Sequence, residues 1–239
     1  ILYSIFIEPN ILLVHEYSIE TQKIKEETHG LKIVHFSDLH YGTYYNINNL
    51  DKLINKINIL KPDIVVFTGD LVDKTYKLTN NDITYITKQL NNIEYTLGKY
   101  AIYGNHDYDI KEYNNILYDS SFKLLKNEYD LVYKDETNPI LLYGIDDILK
   151  EYGYTRKSEK DFLYTCTPHL TAEEAAIDTH LNQEQKDLDP KNLVFFCHLG
   201  VMFAIISHFT GVSPVQLWQG FFVAPTSVTV LGAEERVPG

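Results

Sequence analysis

Three short apolar runs, residues 31–36, 63–68 and 100–103, each stop on residue types that bind metals: Ser37-Asp38-Leu39-His40, Gly69-Asp70-Leu71-Val72-Asp73 and Gly104-Asn105-His106-Asp107. Runs this short, rich in Ile, Val, Phe and Tyr, read as buried parallel strands. Between them apolar residues recur at helical spacing, with Ile47, Leu50, Leu53, Ile54, Ile57 and Leu60 in one segment and Ile83, Ile86, Leu90 and Ile93 in the next. The order strand, helix, strand, helix, strand predicts a parallel sheet built through crossovers. Ligands of such sheets sit outside the carboxyl ends of the strands, where all three motifs fall.

The residue types suit one chemistry. Side chains alternate along an extended chain, so Asp38 and His40, two apart, can grip one cation. Asp70 offers two oxygens and can bridge to a second cation, and Asn105 adds a neutral carbonyl oxygen. Two divalent ions about 3.5–4 Å apart hold a phosphoryl group and lower the pKa of a bridging water. His106 is then left to protonate a leaving group. One Asp at a strand end is ordinarily a cap or loop residue, and a lone Gly-Asn-His-Asp is an ordinary turn. Three such motifs in order, one crossover apart, argue for a shared site.

On these motifs, residues 7–147 resemble the calcineurin-like metallophosphoesterase family, including Glu8-Pro9-Asn10 and the strand end Tyr143-Gly144-Ile145-Asp146-Asp147. The resemblance implies an α/β fold, a four-layer α/β/β/α sandwich, with two divalent metal ions drawn from Mn, Fe or Zn. It assigns Asp38 and His40 to the first metal, Asp70 as the bridge and Asn105 to the second. It makes His106 the catalytic histidine and Asp73 the carboxylate that orients it, a pairing that fixes the tautomer. The family pattern continues with a strand ending in a metal-binding His and then Gly-His-x-His; no Gly-His-x-His occurs in this chain. The site and sandwich therefore read as incomplete.

Composition marks where the pattern stops. Of the 19 Tyr only Tyr164 lies beyond residue 160, whereas Ala101 is the only Ala before it and six follow. The stretch 192–239, with Val194-Phe195-Phe196-Cys197-His198-Leu199-Gly200-Val201 and Gly211-Val212-Ser213-Pro214, resembles the carboxyl-terminal end of a histidine phosphatase domain, related to phosphoglycerate mutase. That resemblance puts His198 in a phosphate pocket. The Arg-His-Gly nucleophile motif is absent, since Arg156 and Arg236 are the only arginines and neither precedes a His, so a phosphohistidine mechanism has no central residue. The chain therefore reads as a chimera: a phosphoesterase-like domain over 1–147, a seam over 148–160, and a histidine-phosphatase-like fragment over 161–239. In the other reading, His198 ends a strand beginning at Leu193 and supplies the missing metal ligand. His169, His180 and His208 read as surface or core residues, the last on an expected helix over 201–209.

Charge and cysteine content exclude other classes. The net charge is −12 and no basic patch recommends nucleic acid as a partner. Cys166 and Cys197 show no metal or redox spacing and read as buried thiols. No run of 18 apolar residues spans a membrane. The chain opens without Met on an apolar stretch, residues 1–7, which reads as an edge strand paired with residues 11–14. Bacterial relatives by resemblance often carry a membrane anchor upstream, so membrane association would come through a segment missing from this chain. The expected function is a metal-dependent phosphoric ester hydrolase acting on a small-molecule or lipid phosphate ester. The competing expectation is an inactive remnant that binds metal weakly.

Overall fold

The computed structural model describes residues 12–18, 30–42, 47–133, 140–145 and 193–197, together with positions 202 and 206. A four-stranded parallel sheet orders β1 (Ile33–Phe36), β2 (Ile64–Phe67), β3 (Gly98–Ala101) and β4 (Lys123–Leu124) side by side. Helices α1 (Ile47–Leu60), α2 (Asn80–Asn91) and α3 (Tyr113–Asp119) form the three crossovers. The amphipathic spacing in α1 is what buries Leu50, Leu53, Ile54 and Ile57 together. Helix α2 starts where Thr79 accepts from the Asp82 amide and the Asp82 carboxylate accepts from the Thr79 amide, a reciprocal cap.

Strand alternation sends side chains to two separate cores. Val65, Phe67 and Ala101 join Phe36 and pack with Ile86 and Leu90 of α2 and Tyr113, Ile116 and Leu117 of α3. Ile64, Val66 and Tyr100 point the other way and pack with Ile102, Leu125, Val132, Ile140 and Leu142. Those last three belong to a second sheet in which β5 (Glu128–Val132) pairs antiparallel with β6 (Ile140–Ile145), and β6 pairs parallel with β7 (Leu193–Cys197). Phe67, Ile64 and Val65 are fully buried, and each contributes roughly 1.5–3 kcal/mol over its exposed state. Helices, first sheet and second sheet are thus three layers of the expected sandwich. On the outer face of the second sheet Leu141, Tyr143 and Ile145 are also buried.

Strand β3 begins two residues before the expected run. Lys99 lies in its middle and is buried, with Nζ donating to the Leu90 carbonyl at 3.0 Å and standing 5.3 and 5.1 Å from the Tyr95 and Phe122 ring centroids. A lysine normally signals solvent; here it satisfies a carbonyl at the end of α2, where helical carbonyls have no partner within the helix. Helix α2 stops at Asn91, so Ile93 lies past its end although it is buried. Helix α3 and strands β4 and β5 were not expected. Their sequences, Tyr113-Asn114-Asn115 and Glu128-Tyr129-Asp130 among them, lack a clear apolar period.

The expected edge strand is not formed at Leu12, Leu13 and Val14, which are exposed and in no regular element; they bury no face that would fix a register. Residues 1–7, Asp146, Asp147 and the seam over 148–160 lie outside the described residues. So does most of 161–239, including the expected helix over 201–209 apart from helical positions Met202 and Ile206. The fragment boundaries proposed from composition therefore rest on sequence alone.

Candidate metal centre

The loops leaving β1 and β2 stay zipped beyond the strands. Amides of Asp38, His40 and Tyr41 donate to the carbonyls of Gly69, Asp70 and Leu71 at 3.0, 3.0 and 2.9 Å. This pairing holds Asp38, His40 and Asp70 in the left-handed region, with φ of 55°, 41° and 59°. Each such residue costs on the order of 1–2 kcal/mol, and strain of this kind concentrates at functional sites. The third loop comes closer still. A Cβ on Gly69 would collide with the Gly104 amide nitrogen, and one on Gly104 would collide with the Asp70 carboxylate. The glycines of the second and third motifs therefore let two backbones meet.

That meeting brings the side chains to one point. His40 Nε2 lies 3.7 Å from Asp38 Oδ1 and 3.7 Å from Asp70 Oδ2, and His106 Nε2 lies 4.0 Å from the same Asp70 oxygen. The His40 and His106 rings meet edge to face with centroids 4.6 Å apart. Ligand atoms of His40, Asp70 and His106 all lie within 4.8 Å of one another. These separations are too long for hydrogen bonds. They are close to the edge of a coordination polyhedron, roughly 3.4 Å for tetrahedral ligands about 2.1 Å from a shared ion. Asp70 is 3 % exposed, and carboxylates gathered with so little water call for a cation. The mixed oxygen and nitrogen donors suit a first-row divalent ion. His106 Nδ1 is buried with no hydrogen-bond partner among the described residues, a polar atom that the protein alone leaves unsatisfied.

Two further carboxylates have different positions. Asp73 lies with Oδ2 4.0 Å from His40 Nδ1 and accepts from the Thr75 amide and hydroxyl at 2.8 and 2.6 Å. Those Thr75 bonds hold its pKa below the ordinary value. It stands nearer to His40 than to the His106 it was expected to orient, and reaches His106 only as a nearby charge. Asp107 is fully buried and turned toward backbone. Its Oδ2 accepts from the Asp70 amide at 2.7 Å and the Gly104 amide at 2.8 Å, and Oδ1 accepts from the Leu71 amide at 2.9 Å. Burial pushes the carboxyl up to about 7, opposed by the three N–H donors. Asp70 Oδ1 in turn accepts from the His106 amide at 2.8 Å.

Burial lowers the pKa of the His106 imidazole, against the raising effect of the Asp70 charge; Lys74 and His40 lower it further. The deeper His35 is pushed down to about 4 by burial, with Asp38 opposing, and pairs with the Thr68 hydroxyl at 2.8 Å. It lies on β1, before the ligand cluster.

Asp38, His40, Asp70, Asp73 and His106 are thus gathered at the carboxyl edge of the first sheet, and Asn105 is half-buried on the same loop as His106. His198, His169, His180, His208 and Cys166 lie outside the described residues. Strand β7 ends at Cys197, a half-buried free thiol, one position before His198 in sequence. Sequence reasoning assigned no role to Asp107; its signal, an acidic residue closing a Gly-Asn-His motif, does not reveal that it faces backbone.

The sequence model of the family described as calcineurin-like phosphoesterase matches residues 31–200. An uncharacterized metallophosphoesterase of Bacillus subtilis is 32% identical over 152 residues, 62% of this chain and 52% of that protein. A UDP-2,3-diacylglucosamine pyrophosphatase of Chlamydia trachomatis is 34% identical over 134 residues, 54% of this chain and 40% of its own. A transmembrane protein with a metallophosphoesterase domain from Danio rerio is 31% identical over 140 residues, 56% and 31% of the two chains. The matched region spans about half or less of the length of these relatives.

Proposed function

The chain belongs to the calcineurin-like phosphoesterase family, and we propose that it is a metal-dependent phosphoric ester hydrolase using a metal-activated water. The observation that carries this reading is the convergence of His40 Nε2, His106 Nε2 and Asp70 Oδ2 at the carboxyl edge of a parallel sheet. Asp38, His40 and Asp70 would hold a first divalent ion. Asp70 and Asn105 would hold a second, with His198 completing its shell. Support for His198 is that β7 ends one position before it and pairs in register with β6. Mn, Fe and Zn all accept such a donor set. When bound, the ions supply Lewis-acid stabilisation of phosphoryl oxygens and a water acidic enough to ionise near neutral pH.

The chain's own residues do the rest. His106, with its pKa lowered by burial, gives a proton to the departing oxygen and so offsets the charge that develops there. Asp73 contributes negative potential beside His40 and His106. The low exposure of Asp70 limits water at the reacting centre. A phosphate ester, of a small molecule or of a lipid, is the substrate class that fits. The relative named as a pyrophosphatase of UDP-2,3-diacylglucosamine supports an acylated, phosphate-bearing substrate.

The family match runs to residue 200, across the expected seam at 148–160, and β7 joins the same sheet as β6. Both favour a continuous phosphoesterase chain through β7 over a junction with a histidine-phosphatase-like piece, for which only the motif likeness of 192–239 speaks. Among the described residues no helix is long and apolar enough to cross a membrane. A membrane link would come through a segment beyond this chain, as the transmembrane relative suggests. The test is hydrolysis of p-nitrophenyl phosphate and its bis ester in manganese. Turnover abolished by chelator and restored by added Mn²⁺ is expected; turnover that ignores the chelator would contradict the metal dependence, and none at all would leave a noncatalytic remnant as the better reading.

A further inference from the structure

We infer that Asp107 is a positioning residue that locks the Asp70 and Gly104 loops together and so sets where Asp70 presents its ligand oxygens and where His106 presents its imidazole. The inference rests on the proposed metal centre for its functional consequence, and on hydrogen bonding alone for the lock itself.

Three backbone amides from two loops converge on this one carboxylate. Consecutive N–H groups of Asp70 and Leu71, at 2.7 and 2.9 Å, form a concavity around a left-handed residue, and the Gly104 amide closes it at 2.8 Å. Such a nest of N–H groups is an anion site, and here the anion is supplied by the chain. No water competes, because Asp107 is 0 % exposed. The link then runs outward. The Asp70 backbone is held by Asp107, and the Asp70 carboxylate receives the His106 amide at 2.8 Å, so both loops move as one body. The same segment, whose Asp70 φ is 59°, is also tied to the β1 loop through the His40 amide and the Asp70 carbonyl, so the lock joins the third loop to a pair already zipped. Asp107 touches neither of the clustered histidine rings among its hydrogen bonds and is not itself a ligand.

Substitution Asp107→Asn keeps the shape but turns one acceptor oxygen into an amide donor facing an N–H. In the metal-free protein the amides of Asp70, Leu71 and Gly104 should then exchange hydrogen much faster, while amides within β2 and β3 stay protected. Manganese affinity, measured by calorimetry, should fall about 10- to 100-fold, the usual cost of losing an outer-shell partner. Ile86→Val, in α2 and away from the site, serves as the control for general destabilisation: it should lower the melting temperature, raise exchange evenly across loops and strands, and leave manganese affinity unchanged. Asp107→Asn behaving like Ile86→Val, with affinity kept and exchange raised evenly, would overturn the inference. If Asp107→Asn does not fold, wild-type exchange decides. The lock predicts that these three loop amides exchange as slowly as β2, and fast exchange contradicts it. A wild-type chain that takes up no manganese but shows the exchange pattern would sink the proposed function and leave the lock standing.

Discussion

Asp70 and Asp107 hold each other's loops: Asp107 Oδ2 accepts the Asp70 amide at 2.7 Å, while Asp70 Oδ1 accepts the His106 amide, one residue before Asp107, at 2.8 Å. One faces backbone and the other faces two imidazoles, a division of work between two acidic residues of adjacent motifs.

The glycine at the head of the third motif should be as intolerant as the ligands. A Cβ at Gly104 would strike the Asp70 carboxylate and backbone, so Gly104→Ala must push the two loops apart. Overpacking of this kind costs typically 1–3 kcal/mol. Thermal melts should show that loss, and manganese binding should fall with it. Unchanged affinity in a folded Gly104→Ala chain would mean that the site does not need the close approach.

His106 is read as the proton donor to the leaving group, so His106→Ala should lower kcat by roughly 10²–10⁴ while most of the bound metal is retained. The loss should be greatest for esters with poor leaving groups and small for p-nitrophenolate, which departs without a proton. A loss of metal equal to that of His40→Ala would instead make His106 a ligand.

Lys99 gives a pH signature far from the site. Burial pushes its pKa down to about 8, from 10.5 in an unfolded chain. Between those values the unfolded Lys99 binds more protons than the folded one, so stability should rise as pH increases from about 7.5 toward 9. Above about 9 the trend reverses, because burial raises seven tyrosine hydroxyls of the described residues, Tyr85, Tyr100 and Tyr113 among them, above their usual value, and unfolding then releases protons. Urea unfolding at pH 7.5, 8.25 and 9 should show the rise in the wild-type chain and its absence in Lys99→Met. A flat wild-type profile would contradict the burial of this ammonium.

Much of this architecture is written in local pattern. The runs at β1 and β2 and the face of α1 are apolar at the right period, and their motifs lie where a parallel sheet places ligands. Strand β3 was displaced by two residues because Lys99 looks like loop until the Leu90 carbonyl and two rings are seen around it. Helix α3 escaped notice because Asn114 and Asn115 break its apolar stripe, although Tyr113, Ile116 and Leu117 are buried. Asp107 escaped for another reason. Two of its three backbone partners, Asp70 and Leu71, are 37 and 36 residues away in sequence, and no local pattern tells a ligand carboxylate from one that serves backbone. Asp73 shows the same limit, since its spacing from Asp70 did not reveal that it stands beside His40.

Metal content per chain after purification in manganese, read with hydrolysis of bis-p-nitrophenyl phosphate, shows whether these loops hold divalent metal for phosphoester cleavage. About two ions per chain are expected, as two-metal phosphatase sites hold, with both metal and turnover falling together in Asp70→Asn. Less than about one ion per chain and no turnover above background, with Asp70→Asn indistinguishable from wild type, would contradict a catalytic metal centre in these loops.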